Sequence, residues 1–181
     1  IIAWHPGIEA GNALADIIFG KVNPSGKLTA SFPKKNGQVP LFYSDRRSGR
    51  PNHKKYVDVD AEPLFPFGFG LSYTKFVYQN MILSKKKILK NETVTVSVDV
   101  MNSGDYIGKE VVQLYVHDQV ATVTQSQKKL IDFIKIELKP GEKQTVDFKL
   151  SPLQLSLLDN KFKQTIESGD FDVWVGRNSR D

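Results

Sequence analysis

The sequence predicts an α+β chain in two unlike parts, the end of an α/β sandwich domain followed by an antiparallel β-sandwich. Three observations predict it. Residues 1–32 read as strand, helix, strand, the grammar of alternating α/β structure. From about residue 74 onward the apolar period changes from helical to two-residue. Between them lies Pro63 Leu64 Phe65 Pro66 Phe67 Gly68 Phe69 Gly70 Leu71 Ser72 Tyr73, whose two prolines forbid a helix interior and whose two alternate glycines open backbone shapes closed to other residues. Four aromatic rings sit in that segment, so it reads as a packed connector that clamps its neighbours together; a flexible linker would be poor in aromatics.

In the first part, Ile1 to Trp4 reads as the end of a buried strand, closed by a His5 Pro6 Gly7 turn. A helix is expected from about Ile8 to Phe19. Its apolar positions Ala10, Ala13, Leu14, Ile17 and Ile18 repeat at three and four residues, and Gly20 stands where a helix-terminating glycine belongs. Asn23 Pro24 Ser25 Gly26 then turns into a short strand, Lys27 to Phe32, with Leu28, Ala30 and Phe32 on one face. One such unit cannot make a doubly wound sheet, so the domain is incomplete here and its missing strands are expected upstream. The opening without Met, inside an apolar run, gives the same expectation that the chain is a piece of a longer protein.

From Pro33 to Glu62 the chain is polar and rich in turn formers, with Tyr43, Arg46, Arg47, Arg50 and Tyr56 its most distinctive side chains. Arginines beside aromatic rings can contact a sugar or an acidic partner, which makes Arg46, Arg47 and Arg50 candidate substrate-binding residues. Their commoner use is structural pairing, with Asp45, Asp58 and Asp60 at hand. Trp4 is a fourth candidate, since an indole can stack on a pyranose ring, although a tryptophan ending a strand is more often core.

In the second part, Thr93 to Met101 alternates Val94, Val96, Val98 and Val100 inward against Thr95, Ser97 and Asp99 outward. Asn102 Ser103 Gly104 Asp105 is a turn, and Val111 to Val116 resumes with Val112, Leu114 and Val116 on one face. Further strands are expected at Leu130 to Leu138, Gln144 to Leu150 and Phe171 to Val175, with turns at Pro140 Gly141 and Ser168 Gly169. Pro152 to Leu158 reads as a turn or loop whose leucines plug one end. Trp174 falls at a strand position, as packing or domain-interface surface. About seven short strands without a helical period indicate a β-sandwich of immunoglobulin or fibronectin type III character.

The 181 residues carry a net charge of +5 with no cysteine, so disulfides and thiolate metal sites are excluded. The lysine and arginine runs are short, spread over the chain and interleaved with 20 acidic residues, the pattern of solvated surface and not of a nucleic-acid face. No apolar run approaches the roughly 20 residues that span a bilayer. His5, His53 and His117 lack metal-ligand spacing, and no metal or cofactor is expected.

Together these segments resemble the C-terminal part of a glycoside hydrolase family 3 enzyme of the β-glucosidase type. Ala3 Trp4 His5 Pro6 Gly7 with Glu9, Gly11, Asn12, Ala13, Ala15, Asp16, Phe19 and Gly20 is similar to that family's strand and helix near the end of its α/β sandwich domain. Asn23 to Leu28, Phe32 Pro33 and Ser48 Gly49 Arg50 Pro51 continue the likeness, and Pro63 to Tyr73 resembles the hallmark before its last domain. Val111 to Val116, Pro140 Gly141 Glu142 and Gly169 Asp170 Phe171 with Val175 Gly176 resemble its fibronectin type III-like module.

The resemblance implies residues 1–62 as the C-terminal portion of the α/β domain, 63–73 as the connector and 74–181 as the fibronectin type III-like sandwich. It implies a retaining glycosidase as parent, with an Asp nucleophile on a barrel domain and an acid/base Glu ahead of the Ala-Trp-x-Pro-Gly segment. Neither position exists in this chain, so no catalytic residue is assigned and the chain alone is expected to be inactive. Glu9 and Asp16 read as structural. The expected partners are the upstream barrel and α/β domains and, through the parent, an oligosaccharide or glycoside substrate, with neither nucleic acid nor membrane. Periplasmic or secreted location is implied by the family alone. An independent carbohydrate-binding or adhesion module is the alternative, because fold by itself does not assign function.

Overall fold

The computed structural model of the chain describes residues 1–46 and 59–181. Eight strands follow one short helix: α1 (Ala10–Ile18), β1 (Phe76–Leu83), β2 (Val94–Asn102), β3 (Gly108–Asp118), β4 (Lys129–Leu138), β5 (Lys143–Leu150), β6 (Leu157–Leu158), β7 (Gln164–Thr165) and β8 (Phe171–Gly176). Two antiparallel three-stranded sheets, ordered β1-β2-β5 and β4-β3-β8, face each other, and β6 with β7 forms a small ribbon. The alternation in β2 sets the core: Val94, Val96, Val98 and Val100 are at most 5% exposed. They pack with Val112, Leu114 and Val116 of β3, Ile136 and Leu138 of β4, and Val146, Phe148 and Leu150 of β5. Each such side chain contributes about 1.5–3 kcal/mol relative to an exposed one.

β1 is the strand that periodicity did not announce. Its register shifts between Gln79 and Ile82 around Asn80 at φ 53°, and only Phe76 is buried, so no two-residue alternation survives in its sequence. The segment read as a turn or loop at 152–158 is a 3-10 turn (Pro152–Leu155) running into β6. Leu157 is buried and Leu155 packs on the core, whereas Leu153 and Leu158 face solvent, so two of the four leucines plug the sandwich.

The first part departs from expectation at both strands. Ile1 to Trp4 forms no strand, and Trp4 sits at φ 47° with 69% of its surface exposed. A strand exists only when another backbone takes its N–H and C=O groups, and no described segment of this chain does so. Lys27 to Phe32 is likewise not a strand. It runs beside the connector, with the Leu28 and Phe32 amides donating to the carbonyls of Phe69 and Phe65, and the Gly68 and Leu64 amides donating back to Leu28 and Phe32, all at 2.8 Å. Pro66 has no N–H to give and Gly68 turns at φ 79°, so this pairing breaks before a regular ladder forms. α1 is close to the expected helix, and Gly20 ends it at φ 75°. None of its residues is buried, and Ile8, Ile18 and Phe19 are well exposed.

The connector lies on the outer face of the β4-β3-β8 sheet, over a buried amide. Gln113 of β3 donates from Nε2 to the carbonyls of Gly68 at 3.2 Å and Arg177 at 2.6 Å, while its Oε1 accepts the Tyr115 hydroxyl at 2.5 Å. A Cβ at Gly68 would overlap Gln113 Oε1, so this position needs glycine for space as well as for its φ. Beside it, Lys27 Nζ bonds both oxygens of Glu110, at 2.9 and 3.2 Å, and the Tyr78 hydroxyl donates to Oε1 at 3.0 Å. The Lys27 and Glu110 side chains are only 14% and 4% exposed, so this pair crosses a nearly dry junction. Burial, with the Glu110 charge, pushes the Tyr78 phenol far above its ordinary value, and it stays a donor.

Two outcomes follow for stability. Gly68→Ala should lower the urea-unfolding stability by about 2 kcal/mol or more, whereas Gly37→Ala, whose Cβ meets open space, should be near neutral. Lys27→Met, which leaves the buried Glu110 carboxylate without its cation, should cost about 3 kcal/mol, and adding Glu110→Leu should restore much of it. A double variant no more stable than Lys27→Met would contradict that account.

Candidate functional site

The described candidates fall at different places. Trp4 projects from the irregular N-terminal segment, and no hydrogen bond, ion pair or ring contact joins it to Arg46 among the described residues. Arg47 and Arg50 lie outside the described residues. Arg46 is placed by its backbone, which bridges to Ser126, while the Gln127 amide donates to the Asp45 carbonyl at 2.9 Å. The segment leading to Arg46 is therefore stitched to the turn before β4. The structural pairing expected for the arginines goes elsewhere at Asp60, whose carboxylate takes Lys34 at 2.8 Å.

Tyr43 anchors that segment. Its ring stacks on Phe67 of the connector with centroids 4.0 Å apart and meets Tyr115 of β3 edge-on at 6.3 Å. Gln38 is fully buried and holds two stretches together, the one around Lys34 and the one that begins after residue 58. Its Oε1 accepts the Lys34 and Lys35 amides, and its Nε2 donates to the carbonyls of Asp60 at 2.9 Å and Glu62 at 3.2 Å. Glu62 also receives Arg180 Nε at 2.9 Å, and the Ser179 amide donates to Phe67 at 2.9 Å. Both feet of the 47–58 segment thus rest on fixed structure.

Between these feet and the sandwich edge opens a cleft of about 350 Å³, lined by Leu41, Phe42, Tyr43, Asp45, Glu62, Gln127, Lys128, Trp174 and Arg180 among others. Lys128 Nζ stands 4.6 Å from the Trp174 ring centroid and 5.4 Å from that of Tyr115. Burial, and then the nearby Arg180 charge, push the Lys128 amine below its ordinary 10.5. Trp174 was expected as packing or domain-interface surface, and it lines this cleft between the two parts.

The carboxylates are mostly spoken for. Glu9 accepts Asn12, Asp16 pairs with Lys21, Asp99 takes Asn80, Thr145 and Lys143 and is held at about 2, and Glu167 is held low by the Thr122 hydroxyl and amide. Among the described residues no group of three His, Cys, Asp or Glu side chains is arranged to hold a metal. No described helix is long and apolar enough to cross a membrane.

Comparison with known proteins identifies this architecture. The model of the glycosyl hydrolase family 3 C-terminal domain matches residues 1–73, and that of the fibronectin type III-like domain matches residues 110–179. The chain belongs to glycoside hydrolase family 3. A β-xylosidase of Formosa agariphila is 48% identical over 178 residues, covering 98% of this chain and 25% of its own length. The periplasmic β-glucosidase of Salmonella typhimurium is 41% identical, covering 97% of this chain and 24% of its own length. A β-glucosidase from Listeria innocua, solved in complex with glucose, superposes with a TM-score of 0.92 at 38% identity, covering 98% of this chain and 26% of its own. The chain thus spans about a quarter of the family 3 relatives it matches.

Sequence reasoning missed the set of polar side chains that stitches the family 3 segment to the sandwich: Asn23, Lys27, Glu110 and Gln113. A signal existed for Gln113. Val111 to Val116 is nearly continuous in apolar character, as in a strand covered on both faces.

The position of Lys128 gives a titration outcome. With its folded value lowered, the unfolded chain binds more protons at alkaline pH, so its contribution to stability rises with pH between the lowered value and 10.5. Methyl-lysine NMR should find Lys128 titrating below the solvated lysines, and a curve superposable on theirs would refute its burial.

Proposed function

We propose that this chain is the structural C-terminal part of a retaining β-glucosidase-type hydrolase, whose parent cleaves terminal β-linked sugars by a two-carboxylate mechanism. The observation that carries the reading is the stitched joint. A segment matching the family 3 C-terminal domain and a fibronectin type III-like sandwich are locked together by Gln113, Lys27–Glu110 and the edge-on contact of Tyr43 with Tyr115. Such a joint serves bracing, and the described acidic side chains are largely occupied in local contacts. The division at residues 1–62, 63–73 and 74–181 is supported by the sandwich strands falling between residues 76 and 176.

Within that parent, the exposed Ile1, Ile2, Trp4, Ile8, Ile18 and Phe19 form the face that meets the upstream domains. Arg46, Arg47 and Arg50 serve the rim of the substrate site, and Trp4 stacks there on sugar or joins the core. The isolated 181-residue chain should show no turnover of aryl β-glucosides or β-xylosides, while the parent should hydrolyse one of them with retention of anomeric configuration. Arg46→Ala, Arg47→Ala and Arg50→Ala in the parent should raise KM for longer substrates by roughly tenfold with kcat little changed. Unchanged kinetics would remove the arginines from the site, and activity of the isolated chain would defeat the bracing role.

A further inference from the structure

We propose that the cleft between residues 40–45 and the edge of the sandwich is a saccharide-binding site, taking one or two pyranose units of a neutral β-linked oligosaccharide. The choice of a sugar rests on the glycosidase reading only for the identity of the oligosaccharide, because the chemistry of the cleft selects the class. Its volume of about 350 Å³ lies at the small end of ligand sites. Among the described lining residues, the acidic Asp45 and Glu62 match the basic Lys128 and Arg180 in number, so the charges balance and favour a neutral polyhydroxylated ligand over an anion or a polycation.

The groups are set out as sugar recognition requires. Phe42 is 69% exposed and no described aromatic ring covers it, leaving a platform for the apolar face of a pyranose. The Asp45 carboxylate and the Gln127 side-chain amide line the cleft without a hydrogen bond to any described residue, and they offer paired acceptor and donor functions to adjacent hydroxyls. Lys128 is held in place over Trp174 and by donation to the Asp181 carbonyl at 3.2 Å, and its remaining N–H groups are available. Arg180 is fixed by Glu62. The site draws on residues 42–45 and on the sandwich alike, so it differs from a self-contained binding module: it exists only while the joint is closed.

The test uses the parent enzyme in affinity electrophoresis through gels containing laminarin, soluble cello-oligosaccharide polymer or xylan, with Phe42→Ala, Asp45→Ala and Gln127→Ala variants. Phe42 and Asp45 are exposed, so these substitutions spare the core. The parent should be retarded by at least one polysaccharide, and Phe42→Ala and Asp45→Ala should each weaken the retardation about tenfold. Hydrolysis of an aryl β-glycoside, measured in the same samples, reports separately on the glycosidase reading. No retardation of the parent, or retardation identical in all three variants, would overturn the site and leave the cleft as a seat for another part of the parent chain.

Discussion

The structure depends on the burial of one amide. Gln113 sits on the outer face of a sandwich strand, where a water-facing side chain would ordinarily stand, and it is 3% exposed because the connector lies over it. Once buried, its donors and acceptor have to be met from protein, and they are met by three different places in the chain: Gly68, Arg177 and Tyr115. That requirement fixes where the connector runs, why residue 68 carries no side chain, and where the C-terminal residues turn back. An apolar residue at 113 could fill the same space without choosing a partner.

The same logic repeats along the joint. Asn23 donates to the Ile107 carbonyl and accepts from the Ser72 hydroxyl and the Tyr73 amide, while Lys27 meets Glu110 and Tyr78 nearby. An apolar interface of this area would tolerate sliding. A polar one with every group matched has one register, since any shift leaves buried donors unsatisfied at a cost of roughly 1–3 kcal/mol each. Specific geometry between the two parts is what a bracing module needs, and it is also what keeps the lining of the cleft together.

The sandwich was legible because its core obeys period two: the valines of β2 and the resumed pattern in β3, β4 and β5 each stand within a few residues of their expected places. β1 was not, because a bulge at Asn80 erased its alternation. The strands expected at Ile1 to Trp4 and Lys27 to Phe32 have strand-like composition, yet pairing is a property of two segments, and sequence periodicity sees one. At the site, the arginines stood out by type, and so did the family, through motifs in order. Lys128 above Trp174, Tyr43 on Phe67 and Gln38 between two loops did not, because each joins residues distant in sequence through side chains that look ordinary on their own.

The clasp around Gln113 also imposes an order in time. The Arg177 carbonyl and the Ser179 amide, which contacts the connector at Phe67, lie beyond β8, far downstream of the connector. Synthesis runs from the N-terminus, and upstream units ordinarily settle first. Here the connector cannot reach its final seat until the strand that carries Gln113 and the turn after β8 have both emerged. A nascent chain that has emerged only as far as residue 170 would therefore present an α/β part whose closing latch has not yet been made.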